Sequence, residues 1–244
     1  MDTDRTAGPD SGCHPLGALL LLTDGRFPAG AHAHSGGLEA IVALEGVQDP
    51  AALELFLKGR AATVGRIAAA FAAAGCAAAA QDTLDGPAGD RLSALDAEFD
   101  ARTPSSALRA ASRTLGRQLL RSGRRVWPHP VLEALAAIAP RGTHQPIALG
   151  AVAAAAQLGP RAAAWSAAHD AVLGPATAAI RLLGLDPFSV YEVLARLGPL
   201  LETVATEGTT YRDALPEDLP AHGSPLLDLS AERHATWEVR LFAS

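Results

Sequence analysis

His32 and His34, Ser35 and Glu39 form the densest set of reactive side chains in this sequence. In an extended segment residues two apart point to the same side, so both imidazoles can reach one metal ion. Two nitrogens fall short of the three or four protein ligands that a tight site uses. No acidic residue or cysteine adjoins them, and His14, His129, His144, His169, His222 and His234 are scattered through the chain. No resident metal site is therefore expected. Ser35 beside His34 and Glu39 has the residue types of a hydrolase, but the Gly-x-Ser-x-Gly pattern of a nucleophile elbow is absent. No lysine completes a phosphate-binding loop either. No catalytic residue is assigned.

These side chains sit in a loop built for shape. Between Thr23 and Glu39 the chain places Gly25, Gly30, Gly36, Gly37 and Pro28 among Asp24, Arg26 and Phe27. Glycines open backbone angles closed to other residues, while proline fixes one and removes a donor. An apolar run at 16–22 precedes the loop, and a helical pattern begins near Leu38. A shaped loop on a helical scaffold is a place where binding concentrates. Arg26, Phe27, Pro28, Gly30, His32, His34, Ser35 and Glu39 are the loop's candidate functional residues.

The scaffold must be helical. Hydrophobic residues make up 49% of the 244 residues, aromatics only 5%, and alanine dominates the apolar fraction. Alanine is the strongest helix former, and it lets helices approach closely while contributing little burial energy. An all-α fold follows: a single compact multi-helix bundle of roughly eight to ten helices, with flexible N- and C-terminal tails. The core must then rest on scattered large residues, each contributing roughly 1.5–3 kcal/mol when buried.

Charge and cysteine content narrow the function. A net charge of −6 argues against a general nucleic-acid binder. Cys13 and Cys76 make neither a disulfide framework nor a cysteine metal site. Asp2, Asp4 and Asp10 stand where a signal peptide would be cationic. The longest apolar run, 67–80, is 14 residues and mostly alanine, short of the roughly 20 that a membrane span needs. A cytoplasmic protein with no membrane partner is the expectation.

Capping residues punctuate the chain. Asp49-Pro50, Thr103-Pro104 and Asp186-Pro187 each pair an N-cap type with proline at the first helical position. After the first, Leu53, Leu57, Ala61, Val64, Ile67 and Phe71 advance along one face of a long helix, with Glu54 and Lys58 spaced as an ion pair. Residues 81–89 read as a linker and 90–101 as a further helix. Gly174-Pro175 is expected to interrupt the helical stretch that Pro160 opens. Three domains of character result: a disordered tail 1–14, a helical body 15–213, and a C-terminal segment 214–244.

Two features call for partners. Arg109, Arg113, Arg117 and Arg121 form a basic row at helical spacing, which costs a few tenths of a kcal/mol per like-charged pair. Asp96, Glu98 and Asp100 on the preceding helix are the local candidates to neutralise it, and an acidic partner surface is the other. Past Tyr211, prolines punctuate an acidic segment without helical period, which ends in Arg240-Leu241-Phe242-Ala243-Ser244. An apolar, basic end on a polar tail suits a segment that folds onto a partner.

Read as a set, these residues resemble the UreF family of urease accessory proteins, from about Leu19 to Ser244. The family pattern Pro-x-Gly-Gly-aromatic-x-Tyr-Ser-x-Gly-Leu-Glu is matched by Pro28, Gly30, Ser35, Gly37, Leu38 and Glu39. Ala31 replaces the second glycine, and His32 and His34 replace aromatics. Arg102, Arg109, Gly116, Gln118, Leu119 and Leu120 resemble the central arginine-rich helix. Pro146, Ala148, Gly150 and Gly159 fit a Pro-x-Ala-x-Gly segment, and residues 183–186 stand where Pro-Leu-Gly-Gln is common. The ending resembles the family's Arg-Leu-Phe-x-Ser.

The resemblance implies an all-helical homodimer without a reaction of its own. It implies binding to UreD (also called UreH), recruitment of the GTPase UreG, and help in delivering nickel to apo-urease, with no cofactor of its own. Arg240, Leu241 and Phe242 would anchor the tail on UreD, and residues 26–39 would shape the neighbouring surface or the nickel passage. Two alternatives stay open. One is a metallochaperone holding nickel through His32 and His34; the other is a helical enzyme with a small-molecule pocket at the glycine-rich loop.

Overall fold

Helix starts at proline set the architecture. In this computed structural model, which describes residues 14–30, 33–80 and 86–242, α1 (Pro15–Leu22) and α2 (Leu38–Ala43) flank the glycine-rich loop. Helix α3 (Pro50–Arg60) runs through a π-helical turn, Ala61–Gly65, into α4 (Arg66–Ala79). Then come α5 (Pro87–Ala101), α6 (Ser106–Val126), α7 (Pro130–Ile138), α8 (Gln145–Ala155) and α9 (Pro160–Leu183). Helices α10 (Pro187–Arg196), α11 (Gly198–Thr210) and α12 (Pro225–Ala235) complete the chain, with a short 3-10 turn at Pro216–Asp218. With α3 and α4 counted as one continuous helix, eleven helices and no strand lie among the described residues. The additional helix over the expected eight to ten is α12.

Two of the anticipated caps hold in detail. Asp49 accepts from the Ala52 amide at 2.8 Å, and Asp186 from the Ser189 amide at 3.0 Å. At the third, the cap is Ser105, which accepts from Leu108 N at 3.2 Å, rather than Thr103. Helix α5 starts at Pro87, three residues before the expected Asp90.

Helix α4 is the axis of the body. It packs on α5, α8, α9 and α11, and nearly every residue from Ala68 to Ala79 is buried. Alanine and glycine make this possible by letting backbones touch. A Cβ on Gly150 would lie 2.5 Å from the Ala72 carbonyl oxygen, and one on Gly208 would lie 2.8 Å from the Ala69 Cβ. The large buried side chains, among them Phe71, Leu53, Leu57, Leu92, Leu132 and Ile147, fill the spaces between these close contacts. The continuous Pro50–Ala79 segment is long and apolar enough to cross a membrane by length and composition, yet 67% of its most apolar window is buried inside the body.

The break expected at Gly174-Pro175 does not occur. Helix α9 runs unbroken from Pro160 to Leu183 with Pro175 inside it. Proline has no N–H, so the carbonyl four residues back loses its helical donor. That carbonyl belongs to Ala171, and the Arg60 guanidinium Nε donates to it at 2.7 Å. A side chain from the neighbouring helix thus replaces the bond that proline removes. Arg60 is the residue just before the π-helical turn, and burial pushes its pKa down to about 10.

The arginine row is neutralised locally in its first half. Arg113 donates to Asp96 at 2.8 Å and to Asp100 at 2.7 Å, and Arg109 lies 3.7 Å from Asp100. Arg117 caps the Arg141 carbonyl at 2.6 Å, and Arg121 is exposed. Glu98 turns to Arg102 instead. The expected Glu54–Lys58 pair is present at 2.7 Å.

The C-terminal segment, expected to lack helical period, contains α12 and lies on the body. Its inward face is Leu227, Ser230, Ala231 and His234, while Leu226 and Leu229 point outward. Polar residues inside and leucines outside hide the helical period from a hydrophobicity reading. Glu232 holds α12 in place by capping α6, accepting from Ser105 Oγ at 2.6 Å and from Ala107 N at 2.9 Å. Arg91 and Arg102 clamp the preceding connection through the carbonyls of Arg212, Ala214 and Glu217, each at 2.9 Å.

Candidate partner-docking site

The loop and residues 234–242, far apart in sequence, meet at Glu39. This carboxylate is 8% exposed and lies in the first turn of α2. It accepts the Leu241 amide at 2.8 Å on Oε1 and the Phe242 amide at 3.0 Å on Oε2. His234 Nε2 lies 3.1 Å from Oε2. An ionised carboxylate only accepts, so this ring nitrogen carries the proton and donates. Ser35, fully buried, accepts the Glu39 amide on its hydroxyl at 3.3 Å and so tightens the start of α2.

The glycines here are required by what surrounds them. Gly37 has φ +88°, and a Cβ on it would lie 3.1 Å from Leu227 of α12. Gly36 has φ +59°, and a Cβ there would meet Arg60 and Pro175 at 2.9 Å. The loop therefore rests on the same arginine that mends α9. Further back, Pro28 accepts Ser122 Oγ at 2.6 Å, and Phe27 stacks on Trp127 with centroids 5.7 Å apart. Gly30, beside the Gln118 side chain, has φ +80°, a backbone angle that favours glycine.

Of the predicted residues, Ser35, Glu39, Leu241 and Phe242 come together. Arg26 is remote in role: it is exposed and pairs with Asp24 at 3.2 Å. His34 is partly buried and its carbonyl faces Gly174 of α9. His32 lies outside the described residues, so the expected pairing with His34 does too. Phe242, read as a partner anchor, is 6% exposed and its ring lies under Arg181 at 5.0 Å. Leu241 is 64% exposed and Arg240 is exposed. Neighbouring residues of one strap thus face opposite ways.

Sequence reasoning missed His234, Arg181, Arg60 and Glu232. Each works across a long stretch of sequence, and no local spacing marks it. Two other groups have altered acidities. Burial pushes the Asp170 carboxyl up to about 7, with Gln145 Nε2 at 3.4 Å. Burial likewise raises the Cys76 thiol to about 12, so it stays protonated beside the Leu158 carbonyl. Among the described residues no group of three or more His, Cys, Asp or Glu is placed to hold a metal ion.

The C-terminal segment carries exposed apolar side chains. Leu226, Leu229, Val239 and Leu241 are 61–83% exposed. These features define an all-helical protein with large apolar side chains exposed on its C-terminal segment. A profile of the UreF family matches residues 47–198. The chain is 42% identical over 229 residues to the urease accessory protein UreF of Mycolicibacterium vanbaalenii, covering 94% of this chain and 99% of that one. It is 43% identical to UreF of Mycobacterium sp. strain JLS and 41% to UreF of Mycobacterium tuberculosis, at the same coverage. The chain belongs to the UreF family. It is a urease accessory protein and not an enzyme.

Proposed function

We propose that this protein bridges UreD (UreH) and the GTPase UreG, as a homodimer in the cytoplasm, and so assists nickel delivery into apo-urease. Nickel is cargo of the assembly in this reading, and the chain holds no cofactor of its own. The observation that supports it is the docked strap with its outward edge. Leu226, Leu229, Val239 and Leu241 stay exposed on a segment otherwise pinned by Glu232 and Glu39. Large apolar side chains held rigidly in water favour burial against a second protein.

The partner on this edge is UreD. Co-purification of the full chain with a UreD-type protein tests it, with Leu226→Asp/Leu229→Asp as the variant. These leucines face outward, so the fold is expected to survive and capture to be lost. Equal recovery of wild type and variant removes the strap from the mechanism.

A further inference from the structure

Glu39 is the least solvent-exposed acidic residue among the described residues, and no arginine or lysine pairs with it there. A carboxylate taken out of water needs hydrogen-bond donors. Among the described residues its long-range donors all come from the C-terminal segment: the amides of Leu241 and Phe242 and the ring of His234. Among residues 238–242 only Phe242 is buried. Phe242 joins the buried cluster that includes Leu38, and its ring lies under Arg181, while Arg240 and Leu241 stay exposed. Each side of the contact therefore depends on the other.

Two of the three donors are backbone amides. A carboxylate that grips backbone reads no side chain, so the strap is fixed without using up Leu241 or Arg240. We propose that Glu39 is a latch: it clamps the end of the chain to the body and thereby sets the surface that a partner meets, without touching the partner itself. Glu39 is a positioning residue, and its effect on binding runs through the order of residues 236–242. This rests on the reading of the strap as the UreD-facing segment.

The experiment uses the full chain, with hydrogen exchange followed at the Leu241 and Phe242 amides and capture of a UreD-type protein measured on the same samples. In wild type these amides are expected to be protected. In Glu39→Ala their exchange is expected to accelerate about tenfold or more, the factor that corresponds to losing a charge-assisted bond. Exchange in α4 should not change, and capture should fall.

Amides exchanging at free-peptide rates in wild type, or unchanged in Glu39→Ala, overturn the latch whatever the capture shows. Released amides with undiminished capture overturn its role in positioning while leaving the bridging reading intact. Altered exchange with no capture by wild type supports the latch and overturns the bridging reading. Should Glu39→Ala fail to fold, Leu241→Pro deletes one donor from the strap side. It is expected to give the same release at Phe242, and an unchanged Phe242 amide overturns the latch.

Discussion

The Arg60 Nε donates at 2.7 Å to the Ala171 carbonyl, the acceptor that Pro175 leaves without a helical donor. An interior proline ordinarily breaks or kinks a helix at a cost of about 3 kcal/mol. Here the side chain of a second helix supplies the missing bond, so α9 continues for 24 residues. Arg60→Met, which keeps the aliphatic stem, is expected to lower stability by about 1–3 kcal/mol. Pro175→Ala restores the backbone N–H and should rescue much of that loss. A double-mutant cycle by chemical denaturation reads the coupling, and strict additivity would mean that Arg60 does not stand in for the lost donor.

Close backbone contact around α4 makes a second prediction. A methyl group on Gly150 would press on the Ala72 oxygen at 2.5 Å and the Cys76 nitrogen at 2.6 Å, neither of which can rotate away. Gly150→Ala should separate α8 from α4 and cost about 3 kcal/mol or more, at the upper end of overpacking effects. Gly59→Ala is the control, since a Cβ there meets nothing within 4 Å. In a helix interior that change should stabilise by roughly 0.5–1 kcal/mol. Thermal melts of the two variants should therefore move in opposite directions.

How far the sequence disclosed this molecule follows from the range of each signal. Caps at Asp49 and Asp186 are local patterns that the structure reproduces. Leu53, Leu57, Ala61 and Phe71 of the expected stripe are buried, while past the π-helical turn Val64 and Ile67 are only half-buried. The continuity of α9 was illegible because its repair comes from Arg60, 111 residues away. Helix α12 was hidden by inversion, with Ser230 and His234 inside and Leu229 outside. Glu39 and Leu241 each stood out, but nothing in their neighbourhoods says that one binds the other's backbone across 202 positions. The inward turn of Phe242 was missed for the same reason.

The arginine row gives a graded prediction. Asp96 accepts Arg113 at 2.8 Å, the Thr143 hydroxyl at 2.7 Å and the His144 amide at 2.7 Å, tying α5 to α6 and to the start of α8. His144 is buried, and burial holds its ring below the usual histidine range, so it enters the network neutral. Asp96→Ala takes the acceptor from the Thr143 hydroxyl and the His144 amide, and one of three from Arg113, which keeps Asp100 and the Gly142 carbonyl. The change should cost about 2–4 kcal/mol. Arg121→Ala, on the exposed end of the row, should fall within about 0.5 kcal/mol of wild type. Denaturant midpoints of the two variants check the contrast, and equal shifts would count against Asp96 as the junction.

Asp170 makes its own contribution to the pH dependence of stability. Burial lifts its folded-state pKa to about 7 from an ordinary value of 3.8. A carboxyl with a raised folded-state pKa favours the fold while protonated. Its contribution is fully present below about pH 4 and is lost as pH rises through about 7, because only the unfolded chain ionises freely in between. A tenfold change in acidity between the folded and unfolded chain is worth about 1.4 kcal/mol, so the loss across that window is on the order of 2–4 kcal/mol. Asp170→Asn keeps an acceptor for Gln145 Nε2 and cannot ionise. Its stability should match wild type near pH 4 and exceed it by that amount above pH 7, measured by denaturant unfolding at each pH. Parallel wild-type and variant curves across the window would show that Asp170 is hydrated and ionised in the folded protein.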